Sequence, residues 1–197
     1  MGRTMILYHG INIANIKILE PKQADHDRPC VYMTTFEIVS SFYLCNAVER
    51  PYYLFPYGFT KENIPIYHEL YPNALKEVSD GVAGYIYKVE ADESQVIPFK
   101  NIPTARLATE PIEVADVKFI DNAYDYFLQN ESKGLLKIGR FEDKSKQLLE
   151  NWYNMIYEYI KEKNMMTTSD CLYAKFVQVK FPQAWGCLLY TSPSPRD

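Results

Sequence analysis

Apolar residues fall in short strand-like runs through the first two thirds of the chain and at helical spacing in the last third. Met5-Ile6-Leu7-Tyr8 predicts a strand over residues 5–9, closed by the turn signal Gly10. Ile16 to Leu19 form a second apolar run ending at Glu20-Pro21, and the polar stretch 22–29 reads as loop. Cys30 to Met33 predicts another short strand. Thr34 and Glu37 then stand at capping-box spacing and predict a helix to about Asn46, with Ile38, Val39, Phe42 and Tyr43 on its apolar side. Residues 47–58, aromatic and proline-rich, read as an ordered surface loop or lid. Ile64 to Tyr71 reads as extended, and a short helix from Pro72 stops at Asp80-Gly81. Val82 to Val89 has Tyr85, Tyr87 and Val89 on one side and Ile86 on the other, a strand pattern. Residues 90–106 read as irregular because of Pro98 and Pro103, and 106–120 as one or two strands interrupted at Pro111. Asp121 reads as an N-cap and Gly134 as a helix stop. Between Phe141 and Lys163, Leu148, Leu149, Trp152, Met155, Ile156, Tyr159 and Ile160 form a core-facing helical stripe. The sum predicts an α+β fold with its helices at the C-terminal end.

Composition narrows the class. A chain of 197 residues is the size of one domain with a substantial core. The last eleven residues, CLLYTSPSPRD at 187–197, resemble the peptide encoded by a sequencing-library transposon adapter read through in one frame. They are expected to add nothing to the fold. One domain is therefore expected over 1–186, with its core in 5–120 and a helical part over 121–164. A net charge of −4, without a long basic run, argues against nucleic acid as a partner held by charge. Setting Cys187 aside leaves Cys30, Cys45 and Cys171, with no CxxC pair, which fits a reducing, cytoplasmic setting. The first five residues are too few and too polar to begin a secretory leader, and no run of eighteen apolar residues occurs, so no membrane partner is expected. His26 and His68 show no metal-ligand spacing with the cysteines, and neither a Gly-rich phosphate loop nor a Gly-x-Ser-x-Gly motif is present. No metal is expected. The 17 tyrosines and 10 phenylalanines serve either a wet-edged core or a cleft that stacks flat ligands.

His9 is surplus to the turn that Gly10 supplies, so it has either a structural partner or a ligand. Tyr8-His9-Gly10 ends the first strand. Tyr32 lies on the second, with Tyr43 eleven residues later on the following helix. Thr109-Glu110-Pro111-Ile112-Glu113-Val114 lies near the last strands. Each has an ordinary structural reading: a histidine bonded at a strand end, tyrosines in a core, a Glu-Pro edge device. Their joint order and the tyrosine spacing resemble the His-Tyr-Glu branch of the ADP-ribosyltransferase superfamily, which includes diphtheria toxin and the poly-ADP-ribose polymerases. The stretches YHG, VYMT, GYIYKVE and TEPIEV also resemble the small rifamycin ADP-ribosyltransferases, over roughly residues 5–120. Ile11 stands where the family often has Ser or Thr, and EADESQVIPF has no counterpart of the rifamycin enzymes' aspartate.

The resemblance implies an ADP-ribosyltransferase-like split β-sheet and NAD as co-substrate, without a metal. It implies that His9, Gly10, Tyr32, Thr34 and Tyr43 hold NAD. It implies that Glu110 is the catalytic carboxylate, with Glu113, Glu93 and Asp92 as rivals. The chemistry gives these residue types a reason. Tyrosine faces attract and stack a cationic nicotinamide, so Tyr32 and Tyr43 can sandwich it. A neutral imidazole offers one donor and one acceptor to a ribose hydroxyl, and Gly10 allows close backbone approach. A carboxylate stabilises the positive ribose left when nicotinamide departs. The implied activity is transfer of ADP-ribose from NAD to an unknown acceptor, a protein or small molecule before a nucleic acid, with release of nicotinamide. The alternative is a non-catalytic NAD- or nucleotide-binding module of the same fold. A sister RNA 2'-phosphotransferase branch ranks last, because no second His or Arg sits beside Tyr32.

Overall fold

The computed structural model of the chain describes residues 4–23, 28–44, 57–99 and 102–191, with side chains as far as Gly186. In chain order the elements are β1 (Thr4–Ile11), β2 (Ile18–Leu19), β3 (Val31–Thr34), α1 (Glu37–Ser41), β4 (Tyr57–Phe59), β5 (Pro65–His68), α2 (Ala74–Ser79), β6 (Gly84–Asp92), β7 (Ile97–Phe99), β8 (Ile102–Ala108), β9 (Ile112–Glu113), β10 (Asp116–Ile120), α3 (Ala123–Ser132), β11 (Lys137–Gly139), α4 (Lys146–Glu162), α5 (Leu172–Lys180) and α6 (Pro182–Thr191). The fold is mixed α+β, as the patterning predicts. Two compact units share it, each made of two chain segments: Met1–Cys45 with Ser79–Leu136, and Asn46–Val78 with Lys137–Asp197. The stretch 121–164 is therefore divided, with α3 in the first unit and α4 in the second.

The first unit is built on a six-stranded sheet in the order β10-β6-β1-β3-β8-β7, with every neighbouring pair antiparallel. β1 pairs with β6 along its whole length, from Thr4 opposite Asp92 to Ile11 opposite Tyr85. Its pairing with β3 holds only at Tyr8 opposite Thr34. The sheet thus consists of two three-stranded halves joined at one place. Side chains alternate across a strand. Leu7, Tyr87 and Val89 therefore face one side, where they pack with Leu19 and Ile112 of the small β2–β9 ribbon. Ile86 is buried on the other side, which α1 covers. Phe42 and Phe127 meet there with ring centroids 5.0 Å apart.

The second unit holds the three-stranded sheet β11-β5-β4, in which β5 and β11 run parallel, together with α4, α5, α6 and most of α2. Ile156 and Ile160 of α4, Ala174 and Val177 of α5, Phe181 and Ala184 form its apolar core with Leu70 and Tyr71. Buried Glu69 caps this unit from within, accepting from the Leu75 N–H at 3.2 Å and the Phe141 N–H at 3.4 Å. α6 runs on to Thr191 and so includes part of the adapter-like segment.

Several local expectations give way to tertiary structure. The predicted capping box does not form. Thr34 accepts from the Phe36 N–H at 3.2 Å, and Glu37 accepts instead from Lys118 and Tyr126, each at 2.6 Å. α1 ends at Ser41 and tightens into a 3-10 turn over Phe42–Leu44. The changed period turns Phe42 and Leu44 inward and leaves Tyr43 48% exposed, off the apolar side where the pattern put it. The described residues of the stretch 90–106 are not irregular. They complete β6, make a one-turn 3-10 segment and supply β7 and most of β8, which pair antiparallel, with Pro98 on an edge strand where no N–H is needed. The N-cap of α3 is Asn122, one residue beyond Asp121, while Gly134 at φ +70° follows the helix as expected. The helix read over Phe141–Lys163 starts at Lys146 behind the N-cap Ser145, and Met155 is exposed rather than in its stripe. Residues 47–56 of the expected lid lie outside the described residues, while Tyr57–Phe59 is β4.

Gly10 is where α1 comes closest to β1. A Cβ there would overlap the carbonyl of Ser40. Ser40 and Ser41 are small and return their hydroxyls to Glu37 and Ile38 carbonyls of the same helix, at 2.6 and 2.7 Å. Gly10→Ala should therefore cost roughly 1–3 kcal/mol, the usual range for overpacking. Urea unfolding of the two proteins measures the difference, and an unchanged midpoint would show that the helix yields without strain.

Candidate functional site

Beyond Tyr8 and Thr34 a continued antiparallel ladder would bring Gly10 opposite Tyr32. The strands part instead, and the His9 side chain spans the gap, with Nδ1 2.7 Å from the Tyr32 carbonyl oxygen. A carbonyl only accepts, so Nδ1 carries the hydrogen and Nε2 of the neutral ring keeps an acceptor lone pair. Burial pushes the imidazole below its ordinary proton affinity. The bond to Tyr32 opposes this, and the nearby Lys22 charge adds to it. His9 is thus both a structural bridge and a neutral ring with an acceptor to offer.

A cleft of about 270 Å³ opens at this parting. His9 and Tyr32 stand in its wall, with Val31 and Cys30 continuing down β3. Ile11, Ile13, Ile16 and Ile18 make an aliphatic side, and Glu20 and Lys22 bring the charges. The loop carrying Ile13 and Ile16 is held by a buried side chain. Tyr87 lies opposite His9 on β6, and its hydroxyl donates to the Ile13 carbonyl at 2.7 Å and accepts from the Ile16 N–H at 3.3 Å. The Tyr32 ring meets Phe99 edge-on at 5.9 Å.

Of the residues proposed from sequence, His9 and Tyr32 come together in this wall. Gly10 is adjacent on β1, but its missing side chain makes room for α1. Thr34 is buried, with its hydroxyl committed to the Phe36 N–H. Tyr43 stands on the exposed turn after α1 and is not among the wall residues. The four acids separate. Asp92 pairs with Thr4, five residues from His9 along β1. That is about 17 Å at roughly 3.4 Å per residue. Asp92 also has a local task, accepting from the N–H and hydroxyl of Ser94 at 2.9 and 2.7 Å, bonds that hold its carboxyl below the usual range. Glu93 begins the 3-10 turn that Asp92 caps, at that same far end. Glu110 is exposed in the bend before β9. Glu113 lies opposite Ile18 in the β2–β9 ribbon, and directly opposed residues share a face. Glu113 is therefore next to Ile18 of the cleft, but neither it nor Glu110 is among the wall residues, and the Asp92–Glu93 pair lies at the far end of β1.

Three residues of the site carried no functional signal in the sequence. Tyr87 is readable only as an inward strand residue whose hydroxyl needs a partner. Glu20 and Lys22 follow an ordinary apolar run, and only the pairing of β2 with β9 and of Lys22 with Cys30 brings them to the cleft. Among the described residues no cluster of three or more His, Cys, Asp or Glu side chains is able to hold a metal ion, and no helix is long and apolar enough to cross a membrane. No family model, curated protein or solved structure matches this chain.

The depressed proton affinity of His9 makes stability depend on pH. The unfolded imidazole takes up a proton near pH 6.5, the folded one only at lower pH. Between those values the unfolded state holds more protons, so stability falls as pH drops below about 6.5 and levels off once the folded ring protonates. Asn in place of His9 retains a donor but does not titrate. The unfolding free energy of the wild type minus that of His9→Asn should therefore shrink through this window, and a difference independent of pH would mean that His9 titrates normally.

Proposed function

We propose that the cleft binds the nicotinamide end of NAD and that the protein transfers ADP-ribose to an acceptor. The observation that carries this reading is the bond from His9 to the main-chain carbonyl of Tyr32 at the cleft where the sheet parts into two halves. Its volume of about 270 Å³ lies just below the roughly 300–1,000 Å³ usual for whole-ligand pockets, room for one end of a dinucleotide with the rest at the mouth. In this reading Nε2 of neutral His9 accepts from a ribose hydroxyl, and the Tyr32 ring lies against the nicotinamide. The bond from the ribose C1' to the ring nitrogen breaks with both electrons going to the ring. This leaves neutral nicotinamide and a cationic ribose. The acceptor's nucleophile bonds to C1' and gives up its proton. The late acidic segment supplies the carboxylate that meets the developing charge, with Glu110 first and Glu113 its rival.

The second reading is a binding module that holds NAD without turnover. The exposed position of Glu110 on a bend favours it.

Nicotinamide release from NAD separates the two readings without knowledge of the acceptor. For Tyr32→Ala, NAD binding should weaken by about 1–3 kcal/mol, the scale of a lost aromatic stacking partner, while Tyr32→Phe keeps most of it. Calorimetric titration makes the comparison, and equal losses for Ala and Phe would rule out stacking.

For Glu110→Gln, nicotinamide release at saturating NAD should fall roughly a hundredfold with little change in affinity, as expected when a transition-state electrostatic partner is removed. Full activity in Glu110→Gln together with its loss in Glu113→Gln would move the role to Glu113. NAD binding with no release by the wild type would favour the module.

A further inference from the structure

The cleft brings one carboxylate of its own into its wall, and it is none of the four acids considered from the sequence. Glu20 and Lys22 both face the cleft, two residues apart, on a span whose backbone is held at both ends. Before it, Leu19 pairs with Ile112. After it, Lys22 and Cys30 exchange backbone hydrogen bonds at 3.2 and 3.1 Å. Pro21 restricts φ in between. The span shares the cleft wall with His9, and the Lys22 charge adds to burial in lowering the proton affinity of that ring. The wall between these groups is aliphatic, while Glu20 and Lys22 themselves are exposed to solvent at its rim.

Resting on the NAD reading, we propose that Glu20 and Lys22 form a charge pair that recognises a zwitterionic nicotinamide nucleotide, Glu20 facing the cationic ring and Lys22 the diphosphate. An oxidised nicotinamide carries a positive ring, whereas the reduced ring is neutral and the diphosphate is the same in both. Glu20 then determines specificity for the oxidised form. Lys22 contributes affinity to either form alike. Neither role requires turnover, so both are read from binding alone.

The test is the ratio of the NADH to the NAD Kd for the full chain, measured by calorimetry. In the wild type NAD should bind more tightly than NADH. Glu20→Gln should weaken NAD by roughly five- to tenfold, the scale of one partly exposed charge contact, and leave NADH unchanged. Glu20→Asp should retain part of the preference. Lys22→Gln should weaken both nucleotides by a similar factor and preserve the ratio. Glu90→Gln, the same charge change on the opposite face of β6, should alter neither. A wild type that does not prefer NAD, a Glu20→Gln variant that keeps the preference, or a Lys22→Gln variant without effect on either nucleotide overturns the proposal while leaving the NAD reading in place. A wild type that binds neither nucleotide overturns both.

Discussion

The hydrogen bond from His9 to the Tyr32 carbonyl stands where two halves of a sheet would otherwise lose contact. An antiparallel ladder satisfies the peptide groups of both strands, and a parting leaves them in need of other partners. Here one side chain spans the opening at 2.7 Å. The bond requires a hydrogen on Nδ1, burial disfavours a second proton on the ring, and the ring is therefore held neutral with Nε2 as an acceptor. The contact fixes the tautomer, while burial, working against that same bond, lowers the proton affinity. Around it, α1 settles against β1 because position 10 lacks a side chain, and Tyr87 ties down the loop that walls the cleft.

The cleft combines an aliphatic wall with few polar groups, the pattern of a site that orients a ligand by a small number of contacts. Its polar members come from separate elements. His9 is on β1, Tyr32 on β3, and Glu20 and Lys22 flank Pro21 after β2. Fixed backbone supports each of them, through the long β1–β6 ladder, the β3–β8 ladder and the Lys22–Cys30 bridge.

Local and tertiary forces compete openly around α1. The sequence offers Thr34 and Glu37 as a capping box, worth about 1 kcal/mol to a helix start. The folded chain places Lys118 and the Tyr126 hydroxyl within 2.6 Å of Glu37, and a charged carboxylate gains more from an ammonium and a phenol than from one backbone N–H. The Lys118 ammonium also lies 4.6 Å from the centre of the Tyr126 ring. The contact ties α1 to β10 and α3, elements that follow it by some eighty residues, a distance no local pattern reports.

The sequence by itself determined the α+β class, the places of β1, β3, β5 and β6, the inward row of β6, the end of α2 and the buried residues of α4. These rest on periodicity and on turn and cap residues, which act over a few neighbours in the chain. It also marked His9, because an unusual residue at a strand end stands out locally, and Tyr32 by its spacing to Tyr43. Only the tertiary structure decided that residues 57–78 join the C-terminal helices, that Pro98 and Pro103 lie within strands, and that Tyr43 turns outward. It alone removed Asp92 and Glu93 from the neighbourhood of His9 and brought Glu20 and Lys22 into the cleft. Each of these depends on which strands pair and in what register, and register is set by side chains far apart in sequence meeting across a sheet.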